Sequence, residues 1–410
     1  MSANGRMRWA YARGMRRVVL APDSFKGSIR AADAASALAT GWREVDPTAD
    51  LVLRPMADGG EGTLDAFAAA VPGARRMPVV VSPPWGDSRD GVDAAWLLLP
   101  PTPDAPRGTG VVELASTSGI ELFGDRREPW HASTVGFGEA IDAALTAGVS
   151  RLVLAIGSSA STDGGAGMLA ALGARFTTEG DVPASLRSGA VGLRRMTGVD
   201  LSGLRPLPPG GATVLTDVAA PLCGPAGAAA VFGPQKGFGR VDIPEIDAIL
   251  ARYAALFEVD PATPGAGAAG GTGFGLLAWG ASLVPGAAEV ARLIGLADAV
   301  AAASLVVTGE GAFDGQSAAG KAPAYVSAVA AALGVPAALV AGRIDPRADT
   351  TAFAASVSLT ELARAALPGS AGAPPGPASI APALGPAEAA LADPARWLRA
   401  AGAALARALS

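Results

Sequence analysis

Histidine and cysteine are nearly absent from these 410 residues, which contain one of each, His131 and Cys223. A single cysteine excludes an intrachain disulfide, and the pair cannot supply a Cys/His zinc site. A cytoplasmic chain fits that poverty. It also removes most histidine-based mechanisms, so proton traffic would run through Asp or Glu, and charge would be met by Lys, Arg, a metal or backbone amides. Phosphoryl transfer, where positioning and electrostatics dominate, is chemistry of that kind. His131, beside Trp130, reads as a surface or packing residue.

Basic excess is missing too. The formal charge is −5 and no Lys/Arg-rich block occurs, so there is no field for nucleic acid or an anionic membrane. Small-molecule partners are expected instead, in a monomer or homodimer. Long apolar runs are equally scarce. Residues 261–288 carry no charge, but the strongly apolar part, "FGLLAWGASLV", is about half a membrane span, and predicts a glycine loop followed by a buried helix. The leader, residues 1–16, is basic without an apolar segment, so it is not a secretory signal, and Met15 reads as the natural start.

Glycine (54) and proline (33) are abundant, and half the residues are hydrophobic, as in a globular chain with many tight turns. The length predicts two domains. "RVVLAPD" (17–23) is a strand covered on both faces, followed by a helix over 31–45, the strand "DLVLRPM" (50–56) and a helix over 63–71. This order is that of a parallel sheet with crossovers. From 77 to 114 three strand-like runs lack intervening helices, which predicts a second domain with partly antiparallel character. Further helices are expected over 135–147, 165–172 and 244–257, with strands at 151–157 and 212–218. The last third predicts a strand at 304–308, a helix over 322–333, a strand at 337–341 and a helix from Pro394 capped by Asp393. Residues 368–384 read as a surface loop.

Glycine-rich polar segments border these elements throughout, where open α/β sheets bind ligands and helix N-termini offer amides. "GAGAAG" (265–270) has the dinucleotide-fingerprint spacing, but "PATP" before it cannot be the required strand. "GQSAAGKA" (315–322) has Walker A spacing, but it begins too far past its strand, and Ala322 replaces the magnesium hydroxyl. Lys26, in "SFKGS", reads on position alone either as a solvated lysine or as a phosphate contact. Asp58 and Glu61, in "ADGGEGT", could bind magnesium, accept a proton, or simply stand at a helix N-terminus. Asp163, in "GSSASTDGG", could serve wholly as a helix cap. Lys236, in "VFGPQKG", is a candidate phosphate contact.

"VVLAPDSFKGS", "MADGGEGT", "GSSASTDGGAGMLAALGA", "PLCGPAGAAAVFGPQKG", "PGAGAAGGTGFGLLA" and "LVVTGEGAFDGQSAAGKAP" resemble, in order and spacing, the signature segments of the type I glycerate kinases. The resemblance covers essentially the whole chain from Arg17. It implies two α/β domains, one Rossmann-like and discontinuous (17–76 plus 290–410), the other (77–289) inserted in it. It also implies ATP-dependent phosphorylation of D-glycerate, commonly to the 2-phosphoglycerate, with ATP and Mg2+ in the interdomain cleft. Expected catalytic residues are Lys26, Asp58, Asp163 and Asp217. Substrate contacts are expected from Ser24, Glu310, Asp314 and Gln316, and nucleotide contacts from Gly157, Ser158, Ser159, Gly233, Lys236, Gly267 and Gly270. Asp58 and Glu61 are the expected metal ligands. Departures occur at Ser158, Thr162, Ala220 and Ala312, the last standing where many members carry arginine. They leave open a kinase for a related small sugar acid, or a catalytically silent binding protein.

Overall fold

The computed structural model describes residues 16–25, 27–86, 90–179, 182–183, 188–314, 322–366 and 385–409. The leader before residue 16, Lys26, the Walker-like segment 315–321 with Gln316, and the loop 368–384 lie outside the described residues.

The chain opens with β1 (Arg17–Pro22), α1 (Ala31–Arg43), β2 (Asp50–Leu53) and α2 (Thr63–Ala70). Three strands follow without helices between them: β3 (Arg75–Val81), β4 (Val92–Leu99) and β5 (Thr109–Glu113). Next come α3 (Ala115–Ser118), a 3-10 turn (Ile120–Phe123), α4 (Val135–Thr146), β6 (Arg151–Ala155) and α5 (Ala166–Ala171). A small antiparallel sheet of β7 (Arg175–Thr178), β8 (Val182–Pro183) and, after α6 (Gly189–Leu193), β9 (Met196–Asp200) caps this region. The middle continues with β10 (Ala212–Leu215), α7 (Ala228–Lys236), α8 (Ile243–Ala254), α9 (Ala268–Ala278), β11 (Ser282–Val284), α10 (Gly286–Leu293) and α11 (Leu296–Ala301). The last third contains β12 (Leu305–Phe313), α12 (Ala322–Ala332), β13 (Ala337–Ile344), β14 (Ala355–Ser358), α13 (Leu359–Ala366), α14 (Pro386–Ala392) and α15 (Pro394–Leu409).

Two large sheets result. The first, ordered β14-β13-β12-β1-β2, is parallel throughout. The second, ordered β11-β10-β6-β5-β4-β3, is parallel from β11 to β5 and antiparallel over β3 and β4, as the helix-free stretch predicts.

Strand side chains alternate between two cores, as period-2 geometry requires. Val18 and Leu20 join the layer of α1, α13 and α15, whereas Val19 and Ala21 join a central layer with Phe67, Val290 and Val326. That central layer also receives Leu97, Val111 and Val153 from the second sheet, so helices α2, α10 and α12 are packed between the two sheets. The far face of the second sheet buries Val112, Leu154 and Val214 against Phe137, Tyr253 and Phe274. Among the described residues no helix is long and apolar enough to cross a membrane.

Two readings from the sequence are corrected. The strand expected to end at 308 runs to Phe313, because β13 continues to pair with it through Ile344; Glu310 is therefore a strand residue and not a loop residue. "VFGPQK", counted among the glycine-rich segments that border the predicted elements, is itself the end of a helix, α7, despite Pro234, so Lys236 projects from a helix C-terminus.

Candidate active site

The loop between β2 and α2 turns at once after Asp58. Its Oδ1 accepts the Gly60 amide at 2.9 Å, and Gly59 has a left-handed φ of 94°. The Gly59 carbonyl accepts the Gly157 amide at 2.8 Å, which ties this loop of the first sheet to the end of β6 in the second. A Cβ on Gly157 would lie 2.5 Å from the Gly60 Cα, so the approach tolerates no side chain. Beside it, Asp217, just past β10, accepts the Gly286 amide at 2.8 Å, and Gly286 is in turn pressed against the Asp58 backbone. One carboxylate from each sheet is thus brought to a common wall.

Two cavities open on either side of that wall and share Ser24, Phe25, Ser28, Asp58, Thr216, Asp217 and Val218. The smaller, of about 690 Å³, is bounded by polar groups including Arg30, Glu61, Ser158, Ser159 and Lys236. The larger, of about 1070 Å³, lies at the ends of β12 and β13 and is bounded by Glu310, Ala312 and Arg343 together with apolar side chains.

Lys236 is 3 % exposed. Its ammonium donates to Ser159 Oγ at 2.8 Å and to the Ser161 carbonyl, both neutral acceptors. Burial lowers its pKa to about 7, against the opposing pull of Asp163. Two non-glycine residues with left-handed φ, Ser158 (58°) and Ala269 (53°), also border this cavity. Such conformations cost energy and concentrate at functional sites.

Asp163, expected to be catalytic, is 1 % exposed and lines neither cavity among the described residues. Its carboxylate accepts the Thr134 amide (2.9 Å), Thr134 Oγ1 (2.8 Å), the Gly165 amide (3.1 Å) and the Gly167 amide (3.4 Å). Burial raises its pKa while those four donors resist. The geometry makes it the anchor joining the starts of α4 and α5, one layer behind Lys236.

Ser24, Asp58 and Asp217 stand on the shared wall, and Glu310, 8 % exposed, stands in the larger cavity. Gly157, Ser158, Ser159 and Lys236 line the smaller one. Gly270 lies behind it, where a Cβ would approach Lys236 Nζ to 2.8 Å. Glu61 also lines the smaller cavity, hydrogen-bonded to the Glu121 carboxyl. Burial, that bond and the Glu121 charge raise the Glu61 pKa to about 7. Gly233, Gly267 and Asp314 are not among the residues lining either cavity. Gly233 admits Ile243 and Phe238 against α7, and Gly267 packs on the Pro221 carbonyl, so both are explained by packing. Glu121 and Arg343 escaped sequence reading because neither lies in a glycine-rich segment; Arg343's only signal is its place near the carboxyl end of β13.

Comparison with known proteins agrees in family. Residues 18–368 match the model of the glycerate kinase family. A glycerate kinase of Halalkalibacterium halodurans is 40 % identical over 338 residues, 80 % of this chain and 86 % of the relative. A glycerate 2-kinase of Escherichia coli K12 is 39 % identical over 322 residues, 77 % of this chain and 82 % of the relative. A solved structure described as a glycerate kinase 2 from Salmonella typhimurium LT2 superposes with a TM-score of 0.75 at 34 % identity, covering 97 % of this chain and 98 % of that one. With its paired sheets closing on a two-sided carboxylate wall, the chain belongs to the glycerate kinase family and is a phosphotransferase with an alcohol group as acceptor.

Proposed function

We propose that the protein transfers the γ-phosphoryl group of ATP to the C2 hydroxyl of D-glycerate, giving 2-phospho-D-glycerate and ADP. The observation that carries this reading is the wall of Ser24, Asp58 and Asp217 shared by two cavities, which lets two small reactants meet across one pair of carboxylates. The relatives, a glycerate kinase and a glycerate 2-kinase, supply the acid.

In this reading the C2 oxygen forms its bond to phosphorus as the bond between phosphorus and the β,γ-bridging oxygen breaks, and ADP carries away the electron pair. The hydroxyl proton passes to a carboxylate, for which Asp58 is the candidate. Lys236 and Ser159 hold anionic oxygens, in a site where burial makes each charge count for more than in water.

Magnesium fits the donor set. Among the described residues no group of three or more His, Cys, Asp or Glu could hold a metal. That suits an ion kept by one or two carboxylates and by the nucleotide's own phosphates. Asp58 and Asp217, which border both cavities, would hold it in this reading, and the Glu121 carboxyl beside Glu61 makes Glu61 a weaker choice than its sequence position implies. When bound, the ion supplies charge neutralisation at the phosphate oxygens. Sheet membership supports dividing the chain into one domain of 17–76 plus 290–410 and another of 77–289.

The test is ADP release from ATP with D-glycerate, with and without magnesium, followed by phosphorus NMR of the product. Magnesium-dependent turnover giving the 2-phosphate is expected. No turnover with D-glycerate would overturn the reading, and the 3-phosphate would overturn its regiochemistry.

A further inference from the structure

We infer that the larger cavity receives the base and ribose of the purine nucleotide, and that the smaller receives the hydroxy acid with its carboxylate on Lys236. This assignment rests on the kinase reading above and reverses the sequence expectation, which gave Glu310 to the acid and Lys236 to the nucleotide.

Topology is the first support. In the first sheet the chain leaves β1 for β2 on one side, and β12 for β13 on the other. The connecting helices accordingly lie on opposite faces, α1 packing with Val18 and Leu20, α12 with Val19 and Val306. Where connections diverge in this way, a crevice opens between the strand ends, and open α/β sheets bind nucleotides there. The larger cavity occupies that crevice, bordered by Asp23 and Ser24 beyond β1 and by Glu310, Gly311 and Ala312 of β12.

The walls are the second. Leu283, Val284, Leu359, Ala390 and Leu391 give the larger cavity an apolar lining suited to a flat aromatic base. Glu310, largely buried at its edge, is a carboxylate able to accept from ribose hydroxyls.

The smaller cavity has the opposite character. It presents a buried ammonium whose hydrogen-bond partners, Ser159 Oγ and the Ser161 carbonyl, bring no negative charge. An arriving carboxylate supplies that counter-charge through a charge-assisted hydrogen bond. With the acid on Lys236 and the base beyond Glu310, the acid's hydroxyl and the γ-phosphate converge on Asp58 and Asp217, which border both cavities.

Steady-state kinetics of three variants test the assignment, each checked for folding by its melting temperature. Ala219 and Ala387 are exposed residues on the wall of the larger cavity, so tryptophan there fills the cavity without disturbing a core. Ala219→Trp and Ala387→Trp should each raise KM for ATP about tenfold or more and change KM for D-glycerate less than about twofold; Lys236→Met should do the reverse. Tryptophans that raise KM for D-glycerate alone, or neither KM, would overturn the assignment, as would a Lys236→Met variant defective only towards ATP. If wild-type protein fails to turn over D-glycerate, the kinase reading fails first. Titration with a fluorescent ATP analogue then still decides the nucleotide half: weaker binding to Ala387→Trp is expected, and unchanged binding overturns it.

Discussion

A lysine buried with only neutral acceptors is held at an energetic cost, and Lys236 shows where that cost is visible. Its pKa is lowered to about 7 from an ordinary value of 10.5. Below about 7 both folded and unfolded chains carry the proton, and the folded state bears the full burden of an enclosed charge. Between the two values the unfolded chain binds a proton that the folded chain does not, so Lys236's contribution to stability improves as pH rises through that window. Anion binding needs the ammonium and weakens over the same range. We therefore expect KM for the anionic reactant held by Lys236 to rise above pH 7, while the stability of wild type relative to Lys236→Met also rises. Urea unfolding and KM measured at pH 6.5 and 9 check both, and a KM that is flat with pH would contradict the buried geometry. Asp163 is the charge opposed to Lys236, with Tyr253 buried beside the same carboxylate. Gly270 guards the same spot. A Cβ there would lie 2.1 Å from the Ser161 carbonyl at a left-handed φ of 66°, so Gly270→Ala should cost about 2 kcal/mol or more and displace Lys236. A variant with unchanged urea midpoint and KM would show that the contact relaxes freely.

At the scale of elements, Asp163 does more for the site than a residue in the cleft could, because it fixes the start of two helices at once. Asp163→Asn keeps the shape but turns one acceptor into a donor that faces other donors. Hydrogen bonds to a charged group contribute about 1.5 to 3 kcal/mol each, so a loss of about 3 kcal/mol in urea unfolding is expected. The same change removes the charge that supports the Lys236 ammonium, so the pH at which KM begins to rise should move down; stability lost without that movement would reduce Asp163 to a purely structural role. Elements with strong local signals were legible in the sequence. The last helix begins at Pro394, and Asp393 Oδ1 accepts the Arg396 amide at 3.2 Å, as the cap predicts. α8 buries Ile246, Ile249, Leu250 and Tyr253 on the face that helical spacing predicts. Elements whose identity depends on distant partners were not. β12 is five residues longer than its apolar run because β13 extends alongside it. α7 carries a Gly-Pro pair that argues against helix locally, yet Phe238 and Ile243 pack on its Gly233. The cleft followed the same rule. Asp58, followed by two glycines, and Asp217, between Thr216 and Val218, border both cavities, whereas Glu121 and Arg343 arrive through folding alone.

For the molecule as a whole, the question is what sets the distance between the two sheets, since the reaction proposed here happens across it. Far from the cleft an apolar layer does so, with Phe67, Val290 and Val326 filling the space between Val19 and Val306 on one side and Leu97, Val111 and Val153 on the other. Such a layer is close-packed and resists compression, but it does not specify the wall to a fraction of an ångström. The cleft itself is set by backbone touching backbone, the Gly157 amide on the Gly59 carbonyl at 2.8 Å and Gly286 against Asp58. Gly157 is not among the glycines with left-handed φ, so alanine suits its backbone, and only the contact would change. The new methyl, 2.5 Å from the Gly60 Cα and 3.0 Å from the Gly59 carbonyl, must push the Asp58 loop outward by about 1 Å to reach ordinary contact. A displacement of that size at reacting groups can cost about a hundredfold in rate, whereas the apolar layer that carries most of the stability stays intact. Gly157→Ala should therefore lower kcat by about two orders of magnitude with a melting temperature within a few degrees of wild type. Full activity in that variant would mean that the alignment of Asp58 with Asp217 does not limit the reaction, and a large loss of stability would mean that the glycine contact, and not the apolar layer, holds the sheets together.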